Sequence, residues 1–574
     1  MDDKPMRNTG YPSIDKPWMK YYSEEAINSK LPEESLYGFL YKNNREYKND
    51  IALNYFDHKI TYGELFQNIE KTAKSFYALG VREGESVVVC SINIPETIYT
   101  IYALNRLGVV VNMIDPRSSN EAVKHYISEC QAKYIVVLDT FYKVVKNAID
   151  TMSIEKMVIM SASVSLPLVK RLLYEMKDIK IQLDNKDIMW NDFIKKGKTI
   201  EPFYPEYKKN KCAILAHTGG TTGIPKTVML SADNLNAVAY AYKYLGIPFE
   251  RQQKYFNDLP PFIIYGLTLG VHISLCYGQQ VIVYPIFDSK TFPKQFIKYK
   301  PNHFSALSGH LKCLCENSRI QQMDLSFLIS AGVGGDTLNE ELEKRVNRFL
   351  NERKCKYEVC KGYGMSELSA TAVISFLGAN EIGSVGVPLI INLIKVVDTE
   401  TGKEKKYNEV GEIWISGPSI MLGYKEKLDE KNEIILVDKE GRRWLRTGDL
   451  GYINNDGLLF LQGRLRRIYL SVVDGQPSKI YPDLIEKNIN KYSKVSECCA
   501  VGCLRENNTY YEIIVYIVKN DDTENEILKS ELIEYAKDVI PSKMQPKEYR
   551  FIERLPRTLI GKIDYRKLEE MAKG

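Results

Sequence analysis

Short apolar strands alternate with helical segments along residues 60–138, and this alternation constrains the fold of the chain most strongly. Val87–Cys90 and Tyr134–Leu138 are continuous apolar runs, Val109–Ile114 is apolar apart from Asn112, and the segments that separate them carry helix-like patterns. Because a parallel connection needs a dozen or more residues, strands joined by helices predict parallel sheets with crossover helices. The same rhythm returns from residue 250 to residue 350.

The pattern changes after residue 380, and the 574-residue chain is too long for one compact core. Short segments and turns predict a smaller β-rich unit there, followed by an αβ piece with strands at Cys498–Val501 and Ile513–Val518. We therefore expect an α/β protein. A large N-terminal domain, residues 1–465, would contain parallel-rich sheets and the β-rich subdomain, and a small mobile α+β C-terminal domain would span residues 466–574.

Composition favours a soluble globular protein, with 44% hydrophobic and 26% charged residues. The net charge of +5 arises from 78 basic and 73 acidic residues, and this balance predicts no nucleic-acid surface. The sequence contains no run of about 18 apolar residues, so no membrane span is predicted. The polar start Met1–Pro5 lacks a signal core, and the eleven scattered cysteines favour free thiols. These features predict a cytoplasmic location.

Residues 217–227 read His-Thr-Gly-Gly-Thr-Thr-Gly-Ile-Pro-Lys-Thr and follow an apolar strand end at Cys212–Ala216. Small and hydroxylated residues in a row expose backbone N–H groups and hydroxyls that can wrap a polyphosphate, and a lysine adds a cation. We expect the nucleotide phosphates to contact Thr218, Gly219, Gly220, Thr221, Thr222, Gly223 and Lys226.

The spacing differs from a Walker A loop, which requires Gly-Lys followed by Ser or Thr. Ile224-Pro225 separates Gly223 from Lys226, and proline has no N–H to offer a phosphate. This spacing argues against a P-loop NTPase or kinase. An ordinary Gly/Thr connection is the plainer alternative for the loop taken alone.

Four further clusters carry groups suited to a nucleotide. In Gly362–Glu367 an aromatic ring can stack on a purine, and a carboxylate can hold Mg²⁺. Arg446–Asp449 offers a carboxylate for ribose hydroxyls, Gly463-Arg464 follows a strand-like segment, and Gly561–Asp564 presents Lys562. Each cluster alone is more often structural than functional.

Taken in order, these motifs resemble the superfamily of adenylate-forming enzymes, which includes acyl-CoA synthetases, adenylation domains and beetle luciferases. The resemblance extends from about Ile60 to Leu568. The motifs that carry it are Thr218–Lys226, Tyr363–Glu367, Gly383–Gly386, Gly411-Glu412, Thr447–Asp449, Gly463-Arg464 and Gly561-Lys562.

The resemblance implies an AMP-forming acid–thiol ligase. A carboxylate attacks the α-phosphate of Mg-ATP, and a thiol, most simply that of CoA, then displaces AMP from the acyl-adenylate. The implied partners are a small carboxylic acid, ATP and CoA or a carrier protein, with Mg²⁺ as cofactor. A nucleotide-binding pseudoenzyme is disfavoured by the presence of both Glu367 and Lys562.

Residue roles follow from the same resemblance. Catalytic roles fall to Lys562, which would bridge the substrate carboxylate and the nucleotide, to Glu367 as the Mg²⁺ ligand, and to Ser366 at the α-phosphate. Tyr363, together with Gly362, would lie against adenine, Asp449 would take the ribose hydroxyls, and Arg464 would assist there. Arg466 matches the hinge about which the C-terminal domain rotates between the two steps.

The acid-binding region departs from the family pattern. Where many members have histidine after Pro-x-Phe, this chain has Ile263, which is either pocket wall or ordinary core. The implied acyl pocket comprises Ile263, Tyr265, Gly266, Gly332, Val333 and Gly334. Amino-acid-activating members place an aspartate here, but Asp258 lies too early, and an unpaired ammonium would be costly to bury. A fatty, short acyl or aryl acid is therefore favoured over an amino acid.

The loop after the hinge, Ile468–Pro477, lacks the family's lysine and is longer. Because this loop helps to form the thiolation face in the family, the thiol acceptor stays open. CoA is the default, and a stand-alone ligase that loads a carrier-protein phosphopantetheine is the alternative, with an amino-acid adenylation enzyme as a further one.

Overall fold

The computed structural model describes residues 9–150, 152–176, 181–218, 226–335, 338–426, 434–473, 476–504, 510–557 and 563–573. Within these ranges the α-helices are α1 Pro12–Asp15, α2 Glu24–Ile27, α3 Leu36–Asn44, α4 Tyr62–Ala78, α5 Pro95–Arg106, α6 Asn120–Glu129, α7 Tyr142–Ala148, α8 Leu168–Glu175, α9 Trp190–Lys196, α10 Ala232–Tyr242, α11 Ser274–Cys276, α12 Phe292–Tyr299, α13 Ser308–Glu316, α14 Glu340–Glu352, α15 Pro482–Ile489, α16 Asn525–Val539 and α17 Tyr565–Lys573.

The strands are β1 Ile51–Tyr55, β2 His58–Thr61, β3 Ser86–Cys90, β4 Val110–Ile114, β5 Tyr134–Leu138, β6 Lys156–Met160, β7 Asp187–Met189, β8 Cys212–Thr218, β9 Lys226–Ser231, β10 Lys254–Asn257, β11 Gln280–Val283, β12 His303–Ala306, β13 Ser330–Gly334, β14 Cys360–Tyr363, β15 Val373–Ile374, β16 Val387–Pro388, β17 Leu393–Val397, β18 Gly411–Ser416, β19 Gly423–Tyr424, β20 Ile435–Val437, β21 Arg443–Ile453, β22 Leu459–Arg464, β23 Tyr469–Val473, β24 Gln476–Ile480, β25 Val495–Leu504, β26 Tyr511–Lys519 and β27 Glu548–Phe551.

Two large sheets form the N-terminal part. One has nine strands in the order β16-β15-β14-β13-β12-β10-β11-β1-β2, and the other has eight in the order β19-β9-β8-β4-β3-β5-β6-β7. Neighbouring strands run parallel from β1 through β14 in the first sheet and from β8 through β7 in the second. The parallel sheets predicted from the alternating pattern are therefore confirmed.

The β-rich and C-terminal parts have sheets of their own. Strands β17, β18, β21, β20 and β22 form a five-stranded antiparallel sheet, and β25, β26 and β27 form the three-stranded sheet of the small C-terminal domain. The predicted strands at 498–501 and 513–518 lie inside β25 and β26. The predicted α/β class, with a β-rich subdomain and a small α+β domain, is confirmed.

The local sequence explains where helix α4 begins. Helix α4 begins at Tyr62, because Ile60 and Thr61 pair with β1 as part of β2. Thr61 and Glu64 then form a capping box, in which each side chain binds the other residue's backbone N–H group. Helix α5 is buried along almost its whole length, so buried residues lie on all sides of the helix.

All eleven cysteines are free thiols, as predicted. No helix within the described ranges is long and apolar enough to cross a membrane.

A buried ion pair fixes strand β14 against helix α14. Lys361 on β14 donates to Glu343, and their side chains are 5% and 1% exposed. The carboxylate of Glu343 also accepts from the Gly383 N–H at 3.0 Å, and Lys361 donates to the Glu381 carbonyl at 2.7 Å. Because both charges are hydrogen-bonded at several points, the pair can be buried without a large net cost.

We expect Glu343→Gln to lower the free energy of unfolding by about 3–5 kcal/mol, because it leaves the Lys361 ammonium buried without a countercharge. Urea denaturation followed by tryptophan fluorescence measures the change. Glu341→Gln, on the exposed side of the same helix, is the matched control and is expected to change stability by less than about 0.5 kcal/mol. Equal midpoints for the two variants would contradict this account of the pair.

Candidate active site

The glycine- and threonine-rich segment is the connection of a β-hairpin. Strand β8 runs to Thr218 and β9 begins at Lys226, with Thr218 opposite Lys226 and His217 opposite Thr227. The sequence predicted only a strand before the loop, and the structure adds a strand after it, where a Walker A loop leads into a helix. Residues 219–225, which include the predicted contacts Gly219, Gly220, Thr221, Thr222 and Gly223, lie outside the described residues.

His217 anchors the base of this hairpin. Its ring stacks on Tyr126, with 3.6 Å between ring centroids, and its nitrogens lie 2.6 Å from Asn112 Oδ1 and 3.0 Å from Thr227 Oγ1. Burial lowers the pKa of His217 to about 3. The imidazole is therefore neutral near pH 7 and contributes packing and hydrogen bonds at the loop, while the cation comes from Lys226.

Strand β19 brings an unexpected residue, Tyr424, to the hairpin. β19 pairs antiparallel with β9, so that Tyr424 lies opposite Val228. The Tyr424 hydroxyl donates to Glu367 Oε1 at 2.7 Å, and Lys226 Nζ lies 4.7 Å from the centre of its ring. Tyr424 thus joins the predicted Mg²⁺ ligand to the predicted phosphate-binding lysine. The sequence around Tyr424 is rich in turns and gave no signal for this role. The pairing of β19 with β9 joins distant segments of the chain, and a local pattern does not reveal it.

Glu367 and Ser366 lie in a single 3₁₀ turn, Ser366–Leu368, just after β14. The turn is tight because residue 364 is glycine. A Cβ atom there would lie 1.7 Å from the Ala370 carbonyl oxygen, so no larger residue fits. Glu367 is 5% exposed, and a carboxylate held in this way suits Mg²⁺, which takes one or two protein carboxylates together with substrate phosphates.

A second carboxylate, Asp449, lies between Tyr363 and Arg464. The Tyr363 hydroxyl donates to Asp449 Oδ2 at 2.7 Å, and Arg464 Nε lies 2.9 Å from Asp449 Oδ1. Burial, with the nearby Asp449 charge, raises the pKa of the Tyr363 phenol, and the same carboxylate raises the pKa of the Arg464 guanidinium. The three side chains therefore hold a neutral phenol, a carboxylate and a cation in one cluster.

The structure thus brings four of the predicted nucleotide residues together from three strands. Gly362 and Tyr363 end β14 of the nine-stranded sheet, while Asp449 on β21 is paired in register with Arg464 on β22. Lys562 lies outside the described residues, and Arg466 falls in the turn Leu465–Arg467 directly after β22.

The predicted acyl-pocket residues divide between two faces of β13. Tyr265 donates its hydroxyl to the Gly332 carbonyl at 2.7 Å, and a Cβ atom at position 334 would lie 3.5 Å from its ring. Val333 points the opposite way, into the core between the nine-stranded sheet and helices α12–α14, because successive strand residues alternate faces. The structure therefore brings Tyr265, Gly332 and Gly334 together and leaves Val333 outside this group.

Gly266 lies in the helix beside that face, and Ile263 lies in the bend before the helix. Gly266 begins the π-helical stretch Gly266–Ile273, and a Cβ there would lie 2.5 Å from the Leu259 carbonyl oxygen, so its glycine serves close packing. Ile263 is half-buried against the largest core cluster. The sequence pattern did not reveal the π-helical stretch, a feature that is frequent at functional sites.

Another group of side chains has the composition of a metal site. Within the described part of the chain, His125, Glu129 and Glu426 place one ligand atom each within 4.8 Å of one another. Thr227 Oγ1 donates to Glu129 at 2.5 Å, which ties this group to the base of the β8–β9 hairpin.

Family comparisons match both parts of the chain. The AMP-binding enzyme family matches residues 40–425, and the AMP-binding enzyme C-terminal domain matches residues 484–562.

Relatives align along nearly the full length. A long-chain-fatty-acid–CoA ligase of Bacillus subtilis (strain 168) is 28% identical over 576 residues, covering 97% of this chain and 98% of its own. A probable 4-coumarate–CoA ligase 1 of Dictyostelium discoideum is 25% identical, covering 96% and 97%.

Among solved structures, the o-succinylbenzoate CoA synthetase of Bacillus subtilis in complex with an acyl-adenylate superimposes with a TM-score of 0.74. It is 24% identical and the alignment covers 93% of this chain and 98% of the other, which supports the shared fold. The chain belongs to the AMP-binding enzyme family of the adenylate-forming superfamily and is an AMP-forming acid–thiol ligase.

Proposed function

We propose that this protein activates a fatty acid with ATP through an acyl-adenylate and transfers the acyl group to CoA. The observation that carries the proposal is the pair of buried carboxylates, Asp449 and Glu367, each held by a tyrosine hydroxyl within the motifs that resemble the nucleotide-binding motifs of the family. One carboxylate suits ribose hydroxyls, and the other suits a divalent cation.

The charges of the reactants explain why the two carboxylates would have different roles. The first step brings a carboxylate to a polyanionic nucleotide, so the site must neutralise charge and align the attacking oxygen with the leaving pyrophosphate. Mg²⁺ held at Glu367 would supply charge neutralisation at the phosphates. Lys226 at the hairpin base would hold the phosphates, Asp449 the ribose, and Ser366 the α-phosphate.

The C-terminal domain would supply the remaining cation. Lys562 would bridge the substrate carboxylate and the nucleotide during adenylation, and rotation of residues 466–574 about Arg466 would withdraw it before the thiol enters. Glu497 of this domain lies 2.7 Å from Lys312 on α13 and 2.9 Å from Arg557, which precedes the segment that carries Lys562. The Glu497–Lys312 pair joins this domain to the N-terminal part, and a partly exposed ion pair is weak enough to suit a docked surface that must separate.

A fatty acid fits the acid-binding region best. Asp258 does not offer a free carboxylate to an ammonium group, since its Oδ1 lies 2.9 Å from His310 Nε2 in a fully buried pair. The long-chain ligase of Bacillus subtilis supports an aliphatic acid. An aryl acid is the second candidate, because the Tyr265 ring lies beside Gly334 with its hydroxyl on Gly332, and probable 4-coumarate–CoA ligases are also similar to this chain.

A panel of acids tests the substrate and the acceptor together. We expect pyrophosphate and AMP from long-chain saturated acids at rates above those with 4-coumarate, short acids or amino acids, followed by thioester formation with CoA. Thin-layer separation of labelled nucleotide and mass spectrometry of the thioester measure both steps. Formation of ADP, faster turnover of amino acids, or loading of a carrier-protein phosphopantetheine in preference to CoA would contradict the proposal.

We expect Asp449→Asn to lower kcat/KM for ATP by about a hundredfold or more, because hydrogen bonds to a buried charge are worth about 1.5–3 kcal/mol each. Tyr363→Phe keeps the carboxylate and is expected to lose about tenfold or less. Steady-state pyrophosphate release at varied ATP measures both. Asp456→Asn, an exposed aspartate paired with Lys20, is the control and should match the unmodified enzyme. Similar losses in all three variants would refute the ribose role.

Lys562→Ala is expected to lower ATP–pyrophosphate exchange by about 10²–10³-fold, by analogy with the loss of one preorganised donor. Thioester formation from supplied acyl-adenylate and CoA should be largely spared, because the lysine would leave the site before that step. Lys567→Ala, on the exposed face of α17, serves as the control. Exchange at the unmodified rate in Lys562→Ala would show that the lysine assignment is wrong.

A further inference from the structure

One imidazole and two carboxylates meet beside the β8–β9 hairpin. His125 and Glu129 lie four residues apart on α6, so their side chains project from the same face of that helix. Glu426 reaches them from the chain that follows β19. The three side chains place one ligand atom each within 4.8 Å of one another. A helix and a distant strand end therefore bring three groups of the kinds that ligate metals to a single point.

Two of these ligand atoms are buried without a partner. His125 Nε2 and Glu129 Oε1 are shielded from solvent, and neither makes a hydrogen bond within the described part of the chain. His125 Nε2 lies 3.2 Å from Glu426 Oε1, although the pair lacks the geometry of a hydrogen bond. Buried polar atoms without partners are costly and rare in folded proteins. A cation held between His125 and Glu129 would satisfy both atoms.

The spacing of the atoms suits a metal ion. Nitrogen and oxygen ligands of Zn²⁺ lie about 2.0–2.2 Å from the ion, so two neighbouring ligands are about 3.0–3.5 Å apart. The separation of 3.2 Å between His125 Nε2 and Glu426 Oε1 falls within this interval. The Glu129 carboxylate lies within 4.8 Å of both atoms, and a small rotation of its side chain would complete the set.

Contacts with Thr227 orient two of the three ligands. Thr227 Oγ1 donates to Glu129 Oε2 at 2.5 Å, which leaves Oε1 for an ion. Partners of this kind commonly orient metal ligands. The Lys425 N–H group donates to the Thr227 carbonyl at 2.8 Å, so the segment that carries Glu426 is attached to the same residue. The three ligands are therefore held at the base of the hairpin, directly beside Lys226.

We propose that His125, Glu129 and Glu426 bind a divalent transition-metal ion, with Zn²⁺ as the best fit. Two carboxylates give the group a negative charge that a dication would neutralise. Mixed nitrogen and oxygen ligands favour Zn²⁺ over Mg²⁺ and Ca²⁺, which take oxygen ligands. The ion would fix α6 and the chain after β19 to the base of the hairpin. This site is separate from the Mg²⁺ site proposed at Glu367, and it does not depend on which acid the enzyme activates.

Isothermal titration calorimetry tests the site on the full-length protein, freed of metal with a chelator and kept without nucleotide or acid. Zn²⁺ is the probe, and Mg²⁺ is the comparison. We expect one Zn²⁺ to bind per chain at this site, and Mg²⁺ to bind at least about a hundredfold more weakly. His125→Gln and Glu129→Gln should each weaken Zn²⁺ binding by about a hundredfold or more, because even the loss of an outer partner of a ligand costs about 10–100-fold.

Glu121→Gln and Glu367→Gln are the control variants. Glu121 is an exposed glutamate of the same helix, and Glu367 is the proposed Mg²⁺ ligand, so both variants should bind Zn²⁺ like the unmodified protein. Thermal melting gives a second readout. Zn²⁺ should raise the melting temperature of the unmodified protein and of both controls but not that of His125→Gln, because only a bound ion stabilises the folded state.

Three results would overturn the proposal. The first is no Zn²⁺ binding by the unmodified protein, which would leave only an ion pair between His125 and Glu426. The second is equal Zn²⁺ binding by the unmodified protein, His125→Gln and Glu129→Gln, which would assign the ion to the free cysteines or to other groups. The third is Mg²⁺ binding as tight as that of Zn²⁺, which would contradict the role of the imidazole.

Discussion

A buried carboxylate, Asp449, joins the parts of the chain on which the site depends. It lies on β21 of the five-stranded sheet, accepts from Tyr363 at the end of β14 in the nine-stranded sheet, and pairs with Arg464 at the end of β22. An unpaired charge at this depth would be costly, so burying Asp449 requires both partners to be in place. The carboxylate therefore fixes how the β-rich subdomain sits on the nine-stranded sheet, immediately before the chain enters its C-terminal domain.

The eight-stranded sheet reaches the same region through strand pairing. Its edge strand β19 lies beside β9, and Tyr424 on β19 meets Glu367, which follows β14 of the other large sheet. Parallel sheets collect functional side chains at the carboxyl ends of their strands, and ligands in open α/β sheets bind there. Each large sheet thus supplies one part of the proposed nucleotide site, and the Tyr424 hydroxyl connects the two sheets.

The acid-binding region and α8 show a different balance between packing and exposure. Tyr265 lies against two glycines of β13 and donates its hydroxyl to the Gly332 carbonyl. Helix α8 leaves its leucines outside, although the same domain buries nearly all of α5. A fold that can bury apolar helices this completely makes an exposed apolar helix an informative exception.

The sequence by itself determined the class of fold and the chemistry of the motifs. Apolar strands alternating with helices predict parallel sheets because local hydrogen bonding and burial demand it, and Ile224-Pro225 argues against Walker geometry because proline lacks an N–H group. Only the tertiary structure decided that the loop closes a hairpin, that Tyr424 meets Glu367, that Val333 faces away from Tyr265, and that α8 is open to solvent. These features arise from strand pairing, strand register and helix docking between distant segments. A local sequence pattern does not indicate which distant residue completes a contact.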